Sequence, residues 1–459
     1  MNTLSTGKLK LKEKIGYALG DTAANFAWRP LVSFLPFFYT DVVGLPLAAV
    51  STLLMITRLS DGITDVVMGT IADRTETRWG KFRPWILWTA IPFGLFLMLT
   101  FTNPKLGDTG NLIWAYATYI ILTLLYTANN VPYSALMGVM TSNIDERTKI
   151  SSFRFFGAFG GGAIVLGLTT PMVKWLGGEN ESLGYQYTYY VFAAILAILS
   201  IITFLSTKER VKPPKSQSGN LSKDFKDLIS NRPWVILLFV GFLFVTYNSI
   251  KQGVTMYYFT HYLNNKIMGG AYLSSLVIIS MLATLIAPYF TRLLGKRKFF
   301  IIAILFSGLV NALIFFAEPG DIIYVFIVGN ISEIGAAILP ILFFSMLGDA
   351  ADYSEWKNRR RATGLVYSAG TFAMKFGGGI AGALMLLVMK FYGYTEHKGE
   401  IGEALHQSAS ALQGIKLNMS IIPLVFVAIA LVLLLLYPLS KERMLEIEKD
   451  LEIRRKSSE

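Results

Sequence analysis

The sequence predicts an all-α membrane protein in which twelve transmembrane helices form two pseudo-symmetric bundles of six. The chain has 459 residues, of which 53% are hydrophobic and 16% charged, and its mean hydropathy is +0.49. Soluble globular proteins carry about 25% charged residues, so this chain has too little polar surface to cover soluble domains of its length. Its basic residues also lie mainly between apolar segments, as they do in multi-pass membrane proteins.

About twelve segments are long and apolar enough to cross a bilayer, which takes roughly 20 residues. Their predicted bounds are 15–39, 48–72, 85–102, 112–140, 154–173, 187–206, 234–259, 273–294, 299–316, 322–347, 363–390 and 415–438. The segment before the first span contains four lysines and lacks the short apolar core of a cleavable signal. We therefore expect it to remain in the cytoplasm.

In that orientation, the cytoplasmic loops and tails contain 32 Lys and Arg residues and the outer loops contain six. This bias is typical of a multi-pass protein of the plasma membrane, here expected to be a bacterial inner membrane, with both termini cytoplasmic. The net charge of +12 therefore reflects topology, and we expect membrane lipid but no nucleic acid as a partner.

Sulfur and imidazole ligands for a metal are scarce. The chain has no cysteine, and its three histidines, His261, His397 and His406, are scattered in predicted loops. That composition excludes disulfides, iron–sulfur clusters and thiolate metal sites, and it argues against zinc. We expect no cofactor.

The chain is predicted to consist of two six-helix halves, 1–206 and 234–440, joined by a cytoplasmic linker, 207–233, and followed by a cytoplasmic tail, 441–459. A short basic loop that contains glycine follows the second span of each half, at 73–84 and at 294–298. A duplicated six-helix unit would leave this pattern. The alternative is two unrelated loops that both obey the charge bias.

Charged residues inside spans are costly and usually face a bundle interior or an aqueous path. On the first span, Asp21, Asn25 and Trp28 share one helix face. A carboxylate can accept hydrogen bonds from sugar hydroxyls while an indole stacks on the pyranose ring, so these residues are candidates for substrate binding. The alternative is a structural Asp21 paired with another helix, with Trp28 as an interfacial anchor.

The second span places Arg58, Asp61 and Asp65 along one stripe. Two carboxylates one turn apart repel each other in a low dielectric unless a cation or a proton lies between them. Oxygen ligands suit a hard ion such as sodium, and the same pair can instead bind a proton. The stripe therefore predicts a cation site, and the alternative is a structural network between Arg58 and the aspartates.

The fourth, fifth and eleventh spans supply further polar candidates. Thr127 and Asn130 share a face of the fourth span, where Thr127 would complete the cation shell and Asn130 would hold substrate hydroxyls. Both would otherwise serve helix packing. Arg154 and Lys375 are the expected positive partners of the aspartates, although Arg154 lies near enough to the cytoplasm to reach water instead.

Two more groups of charges have alternative interpretations. Lys251 and Glu333 lie within spans and would either pair with each other or leave Lys251 to face a cavity. Near the cytoplasm, acidic residues of the loop after the tenth span would pair with basic residues of the loop after the second span and close the inner side in one state. This predicted gate consists of Asp349, Asp352, Arg78 and Arg83. A solvated loop that obeys the charge bias is the alternative.

Over nearly its whole length the chain resembles the glycoside–pentoside–hexuronide:cation symporters, the melibiose-permease-like branch of the major facilitator superfamily. The resemblance rests on ordered motifs, among them Gly20-Asp21, Phe38-Tyr39-Thr40-Asp41, Arg58-Leu59-Ser60-Asp61, Asp65, Arg78-Trp79-Gly80-Lys81-Phe82-Arg83-Pro84-Trp85 and Lys375. It implies the major facilitator fold. It also implies cation binding by Asp61, Asp65 and Thr127, and sugar binding or an adjacent charge network at Asp21, Arg154 and Lys375. Asn130 departs from the aspartate that melibiose permease has there.

The sequence thus predicts a cation-coupled secondary symporter, driven by sodium or protons, that imports a sugar, a glycoside or a hexuronide by alternating access. If sodium is used, Asp61 and Asp65 would be its ligands. Arg29 and Lys251 are candidate contacts for a uronate, since a guanidinium suits a carboxylate. The protein is expected to act as a monomer and not as an enzyme. A polytopic membrane enzyme or a sugar sensor that does not transport remain the alternatives.

Overall fold

The computed structural model describes residues 9–141, 144–210, 229–358, 363–395 and 407–456. Within these ranges the chain is helical apart from short connections and an isolated bridge between Thr77 and Gly80. Eleven helices there are long and apolar enough to cross a membrane. The remaining one of the twelve predicted spans is the first helix, which is more polar and contains Glu13, Asp21 and Arg29 among its charged residues. The predicted fold class is confirmed.

The first six spans are continuous helices or nearly so, and most extend several residues beyond the predicted apolar segments. Helix α1 comprises Leu11–Ser33 and continues through Leu35–Phe37 into a π-helical turn, Phe38–Val42. The others are α2, Leu47–Arg74; α3, Arg83–Thr100; α4, Gly107–Met140; α5, Ile144–Gly177; and α6, Glu181–Ser206.

The second six spans include several interrupted helices. Helix α7, Arg232–Tyr257, continues into a π-helical turn, Tyr258–Tyr262. It is followed by α8, Lys266–Leu294; α9, Lys296–Ala312, with a 3-10 turn, Leu313–Phe316; and α10, which comprises α10a, Ile322–Ala336, and α10b, Leu339–Asn358. The last are α11, Thr363–Phe391; α12a, Ala409–Met419; α12b, Ile421–Leu435; and α13, Lys441–Lys456.

A side-chain amide satisfies the backbone where the twelfth span is interrupted. The Asn311 side chain donates to the Met419 carbonyl oxygen at 2.9 Å, and Asn418, beside the break, donates its side-chain amide to the Met385 carbonyl oxygen of α11 at 3.2 Å. Irregular backbone is tolerated at membrane depth only where protein groups replace the lost hydrogen bonds. The break in this apolar segment is thus compatible with a spanning position.

The same close helix contact occurs once in each half of the sequence. Thr22 of α1 donates its hydroxyl proton to the Gly157 carbonyl of α5 at 3.0 Å, and Thr246 of α7 donates to the Gly377 carbonyl of α11 at 3.2 Å. A Cβ atom on either glycine would lie 2.6 Å from a carbonyl oxygen of the partner helix. These matching contacts are what a duplicated six-helix unit would produce.

The chain forms two compact units that do not follow the order of the sequence. The first contains Met1–Lys215, Thr255–Ile278 and Met389–Leu412, and the second contains Ser216–Val254, Ile279–Val388 and Gln413–Glu459. The end of α7, the beginning of α8 and the end of α11 therefore belong to the first unit. The predicted division at 206 and 234 stays a prediction.

The predicted C-terminal tail forms a helix that packs against the second unit. Met444, Ile447 and Leu451 of α13 are buried in the hydrophobic core of that unit. The Trp356 indole of α10b donates to the Asp450 carboxylate at 2.9 Å. The end of the tenth span is thus tied to α13.

Candidate functional site

The second helix separates apolar and acidic residues onto different faces. Ile63 and Val66 are 70% and 71% exposed, whereas Asp61 is 6% exposed and Asp65 is half-buried. Exposed aliphatic side chains on a spanning helix suit contact with lipid, so the two carboxylates lie on the face that the protein covers. The side chain of Arg58 lies outside the described part of the chain, and its predicted role stays a prediction.

Helices α2 and α4 meet at the predicted cation ligands. Thr127 is 3% exposed and donates its hydroxyl proton to Asp65 Oδ1 at 3.1 Å. Carboxylate and hydroxyl oxygens at this contact are the ligand types that a hard cation prefers. The structure therefore joins Asp65 and Thr127 directly, with Asp61 one turn away on α2.

An ion pair joins α1 and α5 in the same unit. Arg154 Nε donates to Asp21 Oδ2 at 2.9 Å, and the two side chains remain 21% and 11% exposed. The guanidinium also lies over the Tyr133 ring at 5.1 Å and donates to Ser134 Oγ at 3.3 Å. This pair was the structural alternative for Asp21. It also places Arg154 beside Asp21, where the family resemblance expects it.

Two tyrosines pack beside the ion pair of Asp21 and Arg154. The rings of Tyr17 and Tyr133 stack with centroids 4.5 Å apart. Tyr17 donates its hydroxyl proton to the Tyr133 carbonyl at 3.2 Å, and Tyr133 donates to the Tyr17 carbonyl at 2.7 Å. Both tyrosines are fully buried. Their two hydrogen bonds therefore fix α1 against α4, and the Tyr133 ring supports the Arg154 guanidinium. Sequence analysis assigned neither tyrosine a role.

The Trp28 indole, which is predicted to stack on the sugar ring, packs against a second aromatic ring. Trp28 stacks on Tyr126 of α4, with centroids 5.1 Å apart, and the Phe93 ring meets Tyr126 edge-on at 6.1 Å. An indole supported on one face by a phenol is held in orientation. Tyr126 is thus a second aromatic candidate that the sequence analysis left unassigned.

The amide candidates behave differently from one another. Asn25 donates its side-chain amide to the Asp21 carbonyl of its own helix at 2.8 Å. Asn130 is half-buried on α4, whereas its neighbour Asn129 is buried and donates to Thr89 Oγ1 of α3 at 2.8 Å. Asn129 therefore packs α4 against α3, and for Thr127 and Asn130 both the binding role and the packing alternative stay predictions.

Arg29 lies against Gly162 of α5. A Cβ atom on Gly162 would lie 3.1 Å from Arg29 Nε and 3.4 Å from its Cγ. The absence of a side chain at Gly162 therefore makes room for the stem of this in-span arginine. Its predicted contact with a uronate stays a prediction.

The second unit contains a buried polar cluster. Lys251 Nζ lies 3.8 Å from Glu333 Oε2, and the lysine is only 2% exposed. Ser280 donates to Glu333 at 2.7 Å, and Lys251 donates to the Tyr247 hydroxyl at 3.2 Å. The pairing alternative for Lys251 and Glu333 is observed. An ammonium this buried does not present itself to a sugar in this conformation, so a uronate contact for Lys251 stays a prediction.

The remaining second-unit candidate, Lys375, is half-buried on α11, and its pairing with the aspartates stays a prediction. Among the predicted gate residues, Asp349 pairs with Lys296 at 2.5 Å within its own unit. Asp352 is half-buried on α10b, and the neighbouring Arg359, Arg360 and Arg361 lie outside the described residues. The gate stays a prediction.

The basic half of that gate has partners within the first unit. Arg83 donates to the Phe204 carbonyl at 2.7 Å and to the Trp79 carbonyl at 3.2 Å, and Arg78 lies over the Trp79 ring at 4.6 Å. In this conformation Arg83 therefore ties the start of α3 to the end of α6.

Glu209, which the sequence analysis missed, binds the same loop. Its carboxylate accepts the backbone N–H groups of Lys81, Phe82 and Arg83 at 2.8–2.9 Å. Gly80 has a φ of +111°, and a Cβ there would lie 2.4 Å from the Glu209 carboxylate carbon. Backbone N–H groups carry no residue-specific signature, so only the glycine hinted at this contact. An anion at a helix start is favourable, and here the chain supplies it.

The chain is similar to known transport proteins. The family of MFS/sugar transport proteins matches residues 16–441 of the chain. An isoprimeverose transporter of Lactiplantibacillus pentosus is 33% identical over 94% of this chain and 89% of its own length. The putative glycoside/cation symporter YagG of Escherichia coli is 34% identical over 97% and 95%.

Among solved structures, a bacterial homologue of the human lysosomal transporter Spinster superposes with a TM-score of 0.71 at 12% identity. The match covers 95% of this chain and 97% of that one. At such low identity the superposition shows the fold alone.

Proposed function

Because the chain belongs to the family of MFS/sugar transport proteins, it is a cation-coupled sugar symporter of the membrane, and we propose that Asp61, Asp65 and Thr127 bind its coupling cation. The observation that carries the proposal is the contact between Asp65 and Thr127, which joins two helices through oxygen ligands. Family membership favours transport over the membrane-enzyme and sugar-sensor alternatives.

The sugar would bind beside this site, at the ion pair of Asp21 and Arg154 and at the rings of Trp28 and Tyr126. The pair is partly exposed, so its oxygen and nitrogen atoms can exchange water for sugar hydroxyls. The aromatic pair supplies an apolar face for the ring carbons. Asn25, Asn130 and Lys375 are further proposed contacts.

Coupling follows from the charges at the two sites. A bound cation removes the repulsion between Asp61 and Asp65 and so fixes α2 against α4, whose neighbouring residues support the sugar site. If the cation raises sugar affinity by a given factor, the sugar must raise cation affinity by the same factor. The bound cation and sugar then cross the membrane together by alternating access, and the inward ion gradient drives uptake.

Whether the substrate is a neutral glycoside or a hexuronide depends on the role of Arg29. The charges of Asp21 and Arg154 offset each other, which suits a neutral glycoside. A guanidinium at Arg29, seated over Gly162, would add recognition of a carboxylate and admit a hexuronide. Uptake of a matched glucoside and glucuronide by the parent and by Arg29→Gln separates these two substrates.

We also propose a bacterial inner-membrane location, both termini in the cytoplasm, a monomeric state and no cofactor beyond the coupling ion. The support for the orientation is the distribution of Lys and Arg over the loops. An epitope at each terminus, tested for antibody access in intact and permeabilised cells, checks the orientation.

The cation site is tested in proteoliposomes that carry either a sodium or a proton gradient. We expect Asp61→Asn and Asp65→Asn to abolish gradient-driven accumulation while some sugar binding remains. Thr127→Ala should weaken cation affinity roughly threefold to tenfold, since a net hydrogen bond contributes about 0.5–1.5 kcal/mol.

Thr123→Ala is the matched control, because Thr123 lies one turn earlier on α4 and, within the described part of the chain, its hydroxyl bonds only its own helix, at the Ile120 carbonyl. Full accumulation by both Asn variants under either gradient would contradict the assigned site.

A further inference from the structure

The ends of α1 and α7 have the same unusual local structure. Each finishes in a five-residue π-helical turn, Phe38–Val42 in α1 and Tyr258–Tyr262 in α7. The N–H of Val43 bonds the Phe38 carbonyl at 2.9 Å, and the N–H of Leu263 bonds the Tyr258 carbonyl at 3.0 Å. π-Helical turns are rare and frequently occur at functional sites. Both turns belong to the first unit.

The two turns place Asp41 and His261 in direct contact. His261 Nε2 lies 2.7 Å from Asp41 Oδ1, and their side chains are 14% and 8% exposed. The Tyr394 hydroxyl, at the end of α11, also bonds to Asp41 and lies 2.9 Å from His261 Nε2. Because a carboxylate only accepts, a nitrogen this close must carry a proton.

Hydroxyl groups complete the surroundings of the carboxylate. Thr40 Oγ1 donates to Asp41 Oδ2 at 2.6 Å and lies 2.8 Å from the Tyr257 hydroxyl. Asp41 is therefore held by partners from α1, α7 and the end of α11. This is a built polar cluster and not a chance surface contact.

Further titratable and charged groups surround the cluster. Lys266 of α8 lies over the Phe37 ring at 4.2 Å and pairs with Glu181 of α6, and the Phe37 ring lies 6.2 Å from the imidazole. The groups that face His261 or its partner Asp41 are Asp41, Tyr394, Tyr257, Lys266, Glu181 and Tyr185. Histidine is a residue type that ordinarily changes charge between about pH 5 and 8.

We propose that Asp41, His261 and Tyr394 form a proton-dependent latch that holds the outer ends of α1, α7 and α11 together. With a proton on both ring nitrogens, His261 is an imidazolium and its contact with Asp41 is an ion pair in a mostly buried setting. When one proton leaves to water, the contact becomes a hydrogen bond to a neutral imidazole. Charge-assisted hydrogen bonds are roughly twice as strong, so the latch is stronger at low pH.

The latch rests on the chain being a transporter, but not on the cation site of α2. The positive-inside distribution assigns the connections after α1 and α7 to the outer side. Opening toward the outside would then require these three residues to separate. Low pH should slow that opening whichever ion drives transport.

The absence of cysteine makes the test direct, since one introduced thiol is the only one in the chain. Ser33 is fully buried in α1, and cysteine is close to serine in size. We would measure labelling of Ser33→Cys by a membrane-impermeant maleimide in vesicles without sugar, with equal pH on both sides. The measured rates are corrected for thiolate formation with a free thiol.

Labelling of the parent Ser33→Cys protein should rise severalfold between about pH 5 and 8. His261→Gln keeps a hydrogen-bond donor but cannot gain a charge, so it should label at pH 5 as fast as the parent does at pH 8. Tyr394→Phe should accelerate labelling at every pH, whereas Tyr392→Phe, two residues away, should not. Equal pH profiles for the parent and His261→Gln, or a flat profile in the parent, would overturn the proposal.

A second experiment tests the latch if the thiol of Ser33→Cys does not react with the maleimide at any pH. Asp41→Cys with His261→Cys, oxidised to a disulfide, should abolish sugar exchange across the membrane, and a reductant should restore it. Unimpaired exchange by the oxidised protein would also overturn the latch. Sugar exchange needs no ion gradient, so the result is independent of whether Asp61 and Asp65 bind the cation.

Discussion

The two units treat their buried charges in opposite ways. In the first, the ion pair of Asp21 and Arg154 keeps 11% and 21% of its side-chain surface exposed. In the second, Lys251 is 2% exposed and its contact with Glu333 measures 3.8 Å, with serine and tyrosine hydroxyls around it. The first pair can exchange its partners with water or a ligand, whereas the second is closed.

This difference shows that the two repeats share a scaffold but not a chemistry. The contact of Thr22 with Gly157 is matched by that of Thr246 with Gly377, so the backbone packing of α1 on α5 is repeated in α7 on α11. The charges placed on that packing differ. We therefore expect recognition to be concentrated in the first unit and the Lys251 cluster to stabilise the second.

The largest expected effect is on the stability of the second unit. Lys251→Met should destabilise the protein by about 3–5 kcal/mol, because it leaves the Glu333 carboxylate buried without its counter-charge. The double variant with Glu333→Gln should recover most of that loss. Thermal unfolding in detergent measures both.

The matched control is Lys296→Met, whose side chain is 33% exposed where it pairs with Asp349, so its loss should be smaller. If the stable double variant no longer transports, the Lys251 cluster takes part in function and the contrast between the units fails.

A smaller effect is expected on sugar affinity in the first unit. Arg154→Gln removes a charge-assisted hydrogen bond, which typically contributes about 1.5–3 kcal/mol, so affinity should fall roughly tenfold to a hundredfold. Equilibrium sugar binding measures this.

Arg210→Gln is the control, because Arg210 also pairs with a carboxylate of α1, Glu13, but its side chain is 38% exposed. Equal losses of affinity from the two arginines would show that Arg154 acts on α1 rather than on the sugar.

The smallest effect concerns the choice between substrates. In Gly162→Ala, the added methyl group would lie 3.1 Å from Arg29 Nε and must displace the guanidinium. The ratio of glucuronide to glucoside uptake should then fall severalfold, because a carboxylate is most sensitive to the position of its cationic partner. Competitive uptake of the two sugars measures the ratio.

Gly160→Ala provides the comparison, since no atom of the residues that the structure describes lies within 4 Å of a Cβ at Gly160. A ratio unchanged in both variants would remove Arg29 from substrate selection.

Residues whose role follows from their own chemistry and their spacing along one helix could be predicted from the sequence. Asp61 and Asp65 share a helix face by spacing alone, and their cost in a membrane identifies them as candidates. The contact of Asp65 with Thr127, 62 positions later, followed from the polar residues of the fourth span together with a family resemblance.

Residues that act through the backbone or through long-range packing were not found. Glu209 accepts three backbone N–H groups, which every residue except proline possesses, so Gly80 was the one sequence signal of the contact. Asp41 and His261 are 220 positions apart, and only the packing of two π-helical turns joins them. Tyr17 and Tyr133 read as apolar positions until their mutual hydrogen bonds are seen.

By itself, the sequence showed which apolar segments contain charges, and it predicted about twelve membrane crossings and the side that the basic loops occupy. Transfer free energies act on each segment separately, so they can be read from composition and spacing. Only the tertiary structure decided which charge meets which. The pairing of Asp21 with Arg154 and the enclosure of Lys251 with Glu333 depend on helix contacts between residues far apart in the chain, where geometry and not composition sets the interaction.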